Sequence, residues 1–278
     1  MNIRIMKIFI FGSNGMLGTY MKTFLSQHYT VICLERKHFD IDSVNETILT
    51  DLLEEYNFQP KDVVINCAGV IPQSYNQNGF NQRVVYIVNS IFPILLGKVC
   101  EKMEGHLFHI TTDCVFSGKD GKYNENSEAD ETNDYGISKS LGEFSKATII
   151  RTSIIGEEIQ NKHSLVEWVK SNKNGSVKGF ANHFWNGVTC LQLSKMVHEI
   201  IQTQNFWSGV RHVFSPTTVS KYDILVMINE IYNLNISIQK HLTDKTVDKS
   251  LTSIYKTEFE IPELKEQIFE MKNFNLEK

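Results

Sequence analysis

Two hydrophobic rhythms alternate through the first half of the chain. Residues 7–11 form a compact apolar run that stops at Gly12. Such a run suits a parallel strand covered on both faces. Residues 15–27 then place Met16, Leu17, Tyr20, Met21 and Phe24 on one side of a helix. The same reading predicts strands at 31–34, 62–67, 107–111 and 148–152. It predicts helices at 44–56, 84–103 and 135–146, the long one bent near Pro93. Repeated β-α-β order demands an α/β fold, a Rossmann-type doubly wound parallel sheet. Right-handed crossovers place helices on both of its faces.

Beyond about residue 156 the rhythm loosens. Helical spacing returns at 164–170, 192–201 and 221–232, with strand-like pieces at 210–214 and 236–239. Residues 263–278 read as a final surface helix. No repeat or low-complexity linker interrupts the chain. The expected division is a dinucleotide-binding domain over 1–155. A smaller α/β substrate lobe covers most of 156–278, with segments returning to the first domain.

Composition narrows the function classes. The 278 residues are 41% apolar and 22% charged, ordinary values for a globular protein. A formal net charge of −4, with Lys and Arg scattered, argues against nucleic acid or an anionic membrane as partner. The five cysteines (Cys33, Cys67, Cys100, Cys114, Cys190) form no CxxC pair, so no metal site is expected. Each lies in an apolar stretch and reads as a buried free thiol of a reducing cytosol. The first ten residues lack the apolar core and cleavage site of a signal peptide. The longest apolar stretch, 84–97, is interrupted by Asn89, Ser90 and Pro93, and reads as too short and too polar to span a bilayer. A cytoplasmic location is the expectation.

Gly12, Ser13, Asn14, Gly15, Met16, Leu17 and Gly18 connect the first strand to the first helix. Glycine lets a backbone turn tightly and approach a pyrophosphate, and the helix start offers unpaired N–H groups. The spacing is GxxGxxG rather than GxGxxG, so position in the fold carries the reading. The second strand ends in Glu35, Arg36 and Lys37. A carboxylate there commonly holds a ribose 2′-OH, and a cation accommodates a 2′-phosphate. Arg36 and Lys37 favour NADP(H), with NAD(H) left open. Cys67, Ala68 and Gly69 end the third strand and are small enough for a cofactor to lie across them.

The fourth strand runs into Thr112 and Asp113, and Tyr135 and Lys139 follow four apart, on one helix face. A tyrosine pKa near ~10 makes it a poor acid or base at neutral pH. An ammonium one turn away favours the phenolate and lowers that value. Thr112 can bond the same substrate oxygen that Tyr135 protonates.

These motifs resemble the extended short-chain dehydrogenase/reductases, within them the dTDP-4-dehydrorhamnose reductase-like branch. That branch carries STDxVFxG and YGxSKxxGE. Here the corresponding stretches are residues 111–118 and 135–143. The resemblance continues through 150–153, 186–189 and 220–223. It implies NADP use through Arg36, with Asp40 and Ile41 bordering the adenine. It also implies reduction of a 4-keto-6-deoxy sugar on a nucleoside diphosphate. The chain departs from the branch at Thr111, usually Ser, and at Ile154, often a substrate-contacting Trp. Residues 70–74 and 162–163 resemble relatives acting on UDP-linked N-acetylated 6-deoxyhexoses, so UDP- and dTDP-linked substrates both stay open.

Ligands of open α/β sheets lie outside the carboxyl ends of the strands. Substrate contacts are therefore expected from Gln73, Thr112, Asp113, His163, Asn182, Trp185 and Asn186. Lys178, Arg211 and Lys221 are candidates for the diphosphate. Two other functions remain open: an epimerase or epimerase/reductase using Cys114 or His163 as base, and a non-catalytic NADP-binding regulatory subunit. A homodimer through the long helix is expected by analogy.

Overall fold

The computed structural model describes residues 6–72, 81–160, 162–256 and 259–276. Its largest sheet has six strands in the order β10-β5-β4-β3-β1-β2, every pair parallel. These are β1 (Lys7–Phe11), β2 (Thr30–Leu34), β3 (Val63–Asn66), β4 (His106–Thr112), β5 (Thr148–Thr152) and β10 (Gly209–His212). The chain steps from β1 outward to β2, then crosses back to β3. The order therefore reverses between β1 and β3, and a crevice opens at their carboxyl ends.

Alternate strand residues feed two cores. On one face Ile8, Ile10, Ile65, Phe108 and Ile110 pack with helix α1 (Met16–Leu25). The opposite face sets Phe9, Phe11, Val64, Leu107 and Ile149 against α2 (Glu46–Glu55) and α3 (Gln82–Lys102). This two-sided burial is why the strands read as continuous apolar runs.

α3 corrects one sequence expectation. At 21 residues it is long and apolar enough by length and composition to cross a membrane. Within this fold it is a core helix, with Val85, Phe92, Leu96, Val99 and Cys100 buried. Its bend has a specific cause. Residues Ile87–Ile91 are π-helical, and the Phe92 N–H donates to Ile87 O, five residues back. Pro93 lacks an N–H, so the Asn89 carbonyl loses its ordinary helical donor. The next helix, α4 (Asp134–Gly142), meets the chain at that carbonyl. A Cβ on Gly142 would lie 2.2 Å from Asn89 O, so only glycine fits there.

α4 is shorter than its pattern predicted. After Gly142 the N–H groups of Phe144 and Ser145 bond three residues back, tightening the turn. Glu143 is drawn instead to Arg151 of β5, Oε1 to Nε at 2.9 Å. Both side chains are nearly fully buried, 7% and 6% exposed.

The second half supplies β10 to the large sheet and a long helix, α6 (Cys190–Thr203), that packs on α1. Its smaller pairings are β6 (Ile154–Ile155) with β9 (Val188–Thr189), and β7 (Ser176–Phe180) with β12 (Ser237–His241). β8 (His183–Trp185) is flanked by β11 (Val219–Ser220) and β13 (Val247–Asp248). Helices α5 (Leu165–Ser171), α7 (Lys221–Tyr232) and α8 (Leu264–Asn273) complete this half. α7 starts at a capping box, Ser220 with Asp223. All five cysteines are free; Cys100 and Cys190 are buried, whereas Cys33, Cys67 and Cys114 are half-buried.

Candidate active site

The glycine loop leaves β1 into the crevice. Gly12 has φ +77°, and a Cβ there would lie 2.7 Å from Ala68 N. A Cβ on Gly18 would lie 2.1 Å from Gly12 O, so the loop closes on its own helix only with glycine at both positions. α1 starts at Gly15 without a side-chain cap. The buried Ser13 hydroxyl has no partner among the described residues. Uncapped N–H groups beside a spare hydroxyl, over a floor of small residues, fit a pyrophosphate.

At the end of β2 the Glu35 carboxylate is held below the usual carboxylate range, first by its hydrogen bond with Lys37 and also by one with Asn14. Its ion pair with Lys37 spans 3.2 Å. Arg36 is exposed beside it. Asp40 is exposed and accepts the Asp42 N–H at 3.0 Å, and Ile41 is half-buried against Val70, Val85 and Val88.

Lys139 is buried, 6% exposed, and its Nζ lies 3.4 Å from Ile110 O. A Cβ on Gly69 would be 3.2 Å from that Nζ, so the ammonium sits directly under the end of the β3 loop. Burial lowers its pKa to about 8, against the opposing pull of Glu143 and Cys67. Asn133 caps α4 through Gly136 N at 2.9 Å, setting the turn that carries the half-buried Tyr135. A Cβ on Gly136 would meet Cys114 O at 2.6 Å, so this turn lies against the turn that follows Thr112. Thr112 Oγ1 accepts the Cys114 N–H at 3.1 Å and donates to Asp113 Oδ1 at 3.2 Å. Asp113 is buried and its pKa is raised by burial, partly offset by Lys249. Burial also pushes the Cys114 thiol up to about 12.

Three residues join the site that sequence reasoning did not place there. Asn89, singled out only as a polar interruption, bonds Val70 N and O and also Ser138 Oγ at 3.1 Å. The adjacent Ser90 hydroxyl donates to Ser138 O at 2.7 Å. Two polar residues in an apolar helix, facing a YxxxK helix, were the available signal. Lys249 arrives from the second half of the chain, 3.4 Å from Glu131 and close enough to bias Asp113 and Cys114. Nothing in its local sequence marked it.

The proposed substrate contacts scatter. Trp185 is 6% exposed and packs in the core, against the position a Gly187 Cβ would take. Asn186 spends both ends of its amide on Leu251, accepting from N and donating to O, each at 2.8 Å. Asn182 holds the Thr243–Lys245 loop. His163 is exposed in an open hollow with Lys162 and Trp168. Gln73 lies outside the described residues. Among the diphosphate candidates, Lys178 and Lys221 are exposed. The Arg211 guanidinium stacks between Trp207 and Tyr255 at 4.8 and 4.7 Å.

A doubly wound parallel sheet, a glycine cradle at its reversal point and a Tyr–Lys helix beside a strand-end threonine define the short-chain dehydrogenase/reductase architecture. The chain belongs to the RmlD substrate binding domain family, whose model matches residues 6–258. Among curated relatives it is 32% identical over 185 residues to a Haloferax volcanii protein named "Probable low-salt glycan biosynthesis reductase Agl14", covering 60% of each chain. It is 28% identical over 160 residues to the dTDP-4-dehydrorhamnose reductase of Mycobacterium tuberculosis, covering 53% of this chain and 49% of that one. The matched segments thus span about half to three-fifths of those relatives. Among solved structures, the fold superposes on a Clostridium acetobutylicum dTDP-4-dehydrorhamnose reductase with TM-score 0.77 at 23% identity, covering 96% of this chain and 99% of that one. The Bacillus anthracis dTDP-4-dehydrorhamnose reductase, solved in complex with NADP, gives TM-score 0.79 at 20% identity, covering 96% and 99%.

Proposed function

We propose that the chain reduces the 4-keto group of a nucleotide-linked 6-deoxyhexos-4-ulose at the expense of NADPH. One observation carries this reading: a buried ammonium, Lys139, lies under Gly69 and one helical turn from Tyr135, at the strand ends where the glycine cradle opens. When bound, the nicotinamide supplies hydride. Gly12 to Gly18 hold its pyrophosphate, and Cys67 to Gly69 floor the crevice. Arg36 and Lys37 take the 2′-phosphate, with Glu35 already neutralised by Lys37. Asp40 and Ile41 border the adenine.

Tyr135 protonates the substrate oxygen, and Lys139 favours the phenolate that results. Thr112 orients the carbonyl by turning its one hydroxyl proton from Asp113 Oδ1, where it rests in the structure, to the substrate oxygen. A threonine that also receives the Cys114 N–H has little rotational freedom, which favours one approach of the carbonyl. The sugar is UDP-linked, with or without an N-acetyl group, or dTDP-linked. The thiol of Cys114, held protonated to about 12, does not supply the base an added epimerase step needs.

A homodimer is part of the reading. Ile137, Leu141 and Phe144 form an exposed apolar stripe along and just beyond α4, and Ile91 is exposed on the neighbouring α3. Phe144 alone is 78% exposed.

The deciding assay mixes pure protein and NADPH with UDP- and dTDP-4-keto-6-deoxysugars separately and follows the nicotinamide absorbance. Oxidation with one of them supports the reading, and none with any removes it. Tyr135→Phe is expected to lower turnover by about 10²–10⁴-fold while leaving NADPH binding nearly intact.

A further inference from the structure

Beneath Lys139 lies a chain of buried polar groups that the reaction above does not use. Asn66 ends β3 and His109 is its register partner on β4. Both are 0% exposed. The Ala68 N–H donates to Asn66 Oδ1 at 3.0 Å. A backbone N–H can only donate, so the amide oxygen faces it and the amide NH2 faces the other way. That NH2 lies 3.2 Å from His109 Nδ1. Nδ1 therefore accepts, and the ring proton sits on Nε2. The ring stays neutral, because burial first, and then the Lys139 charge, hold its pKa well below the usual histidine value.

The Nε2–H is buried and has no partner among the described residues. Thr111 Oγ1, two residues along the same face of β4, is buried and unpartnered in the same way. Lys139 has three protons to place and its bond to Ile110 O is long, 3.4 Å. Ile110 directly follows His109 and the His109 ring feels the Lys139 charge, so the ammonium lies near the ring, whose face of β4 Thr111 shares. His109 Nε2–H and the ammonium both donate and cannot satisfy each other. An acceptor of two hydrogen bonds that can itself donate resolves all three.

We propose that His109 is a positioning residue for Lys139, acting through one bound water. The water accepts from His109 Nε2–H and from Lys139 Nζ, and donates to Thr111 Oγ1. Ala68, Asn66 and His109 then form a rigid tie that sets the height of the ammonium beneath Gly69. The proposal rests on the catalytic reading of Tyr135 and Lys139. Other titratable groups facing Lys139 are Tyr135 and Glu143 on its own helix, Cys67 at the end of β3, and Asp113 and Cys114 in the turn against the start of α4. The α3 side presents Asn89 and Ser90, both neutral.

The test reads Lys139 without substrate, by nitrogen NMR of its Nζ and of the His109 ring. The expected ring is the Nε2–H tautomer, and Lys139 titrates near pH 8. His109→Phe removes the water's anchor, so the ammonium loses an acceptor and its midpoint falls by about one pH unit. His109→Gln keeps an N–H near the position of Nε2 and brings the midpoint back. The alkaline limb of turnover moves in step wherever turnover is measurable. A ring protonated on Nδ1, or an unmoved midpoint in His109→Phe, overturns the proposal. Should His109→Phe fail to fold, the ring tautomer and the His109→Gln midpoint decide alone. Absence of turnover with every sugar, alongside the expected NMR shifts, would remove the reductase reading and leave the tie standing.

Discussion

Asn89 and Val70 exchange a reciprocal pair of hydrogen bonds: Val70 N–H donates to Asn89 Oδ1 at 2.9 Å, and Asn89 Nδ2 donates back to Val70 O at 3.0 Å. The side chain thereby mimics a strand partner for a loop that has none. It pins the loop after β3 to the π-helical turn of α3, and through Ser138 to α4. The floor of the crevice and the Tyr–Lys helix are thus held by one amide.

Asn89→Leu should therefore act on both stability and turnover. It leaves the Val70 N–H and C=O buried and unpaired, at about 1–3 kcal/mol each before relaxation. Denaturant unfolding should show a loss of about 2–4 kcal/mol. Turnover should fall further than the folded fraction accounts for, because Gly69 and Lys139 lose their common support.

Lys139 makes stability depend on pH with a defined sign. Its folded pKa of about 8 lies below the unfolded value of 10.5. The folded state binds the proton less tightly, so the cost of burying the charge is fully present below about pH 8. That cost fades as pH climbs towards 10.5. Lys139→Met should be inactive yet more stable at pH 7, by on the order of 2–3 kcal/mol. The advantage should vanish by about pH 10.5, which melting curves across that range would reveal. Activity of the unsubstituted chain should decline above about pH 8 as the ammonium is lost.

Gly18→Ala tests the cradle. Its Cβ would enter to 2.1 Å from Gly12 O, so the loop must shift by at least an ångström. Overpacking of this kind costs about 1–3 kcal/mol. NADPH affinity, read by fluorescence titration, should drop by about tenfold or more. Binding at unchanged affinity would place the dinucleotide elsewhere.

The Arg151–Glu143 pair is a separate structural bond. Arg151 Nη1 also donates to His212 Nε2 at 3.0 Å, and burial, then the Arg151 charge, lower the His212 pKa to about 4. Arg151→Met strands a buried carboxylate and should cost about 3–5 kcal/mol. Replacing both partners, Arg151→Met with Glu143→Leu, should recover most of that loss. A double variant no better than the single one would show that the pair is not the source of the effect.

The positions of the large sheet's first five strands along the chain, the glycine loop and the Tyr135–Lys139 spacing could all be read from the chain itself. Strands buried on both faces must be apolar throughout, and glycines with a Cβ distance of 2.1 Å to backbone have no substitute. Helix spacing alone puts Tyr135 and Lys139 on one face. These are local constraints, written in consecutive residues. Tertiary structure decided the rest. Pro93 marked a bend, but only contact with Gly142 shows why a π-helical turn delivers Asn89 to Val70. Trp185 and Asn186 have the chemistry of ligand contacts, yet packing and the Leu251 backbone engage them. Lys249, from residues far along the chain, comes to bias Asp113 only because β13 pairs with β8. A side chain's neighbours across the fold set its charge state and its free hydrogen bonds, and those neighbours are not encoded in its own stretch of sequence.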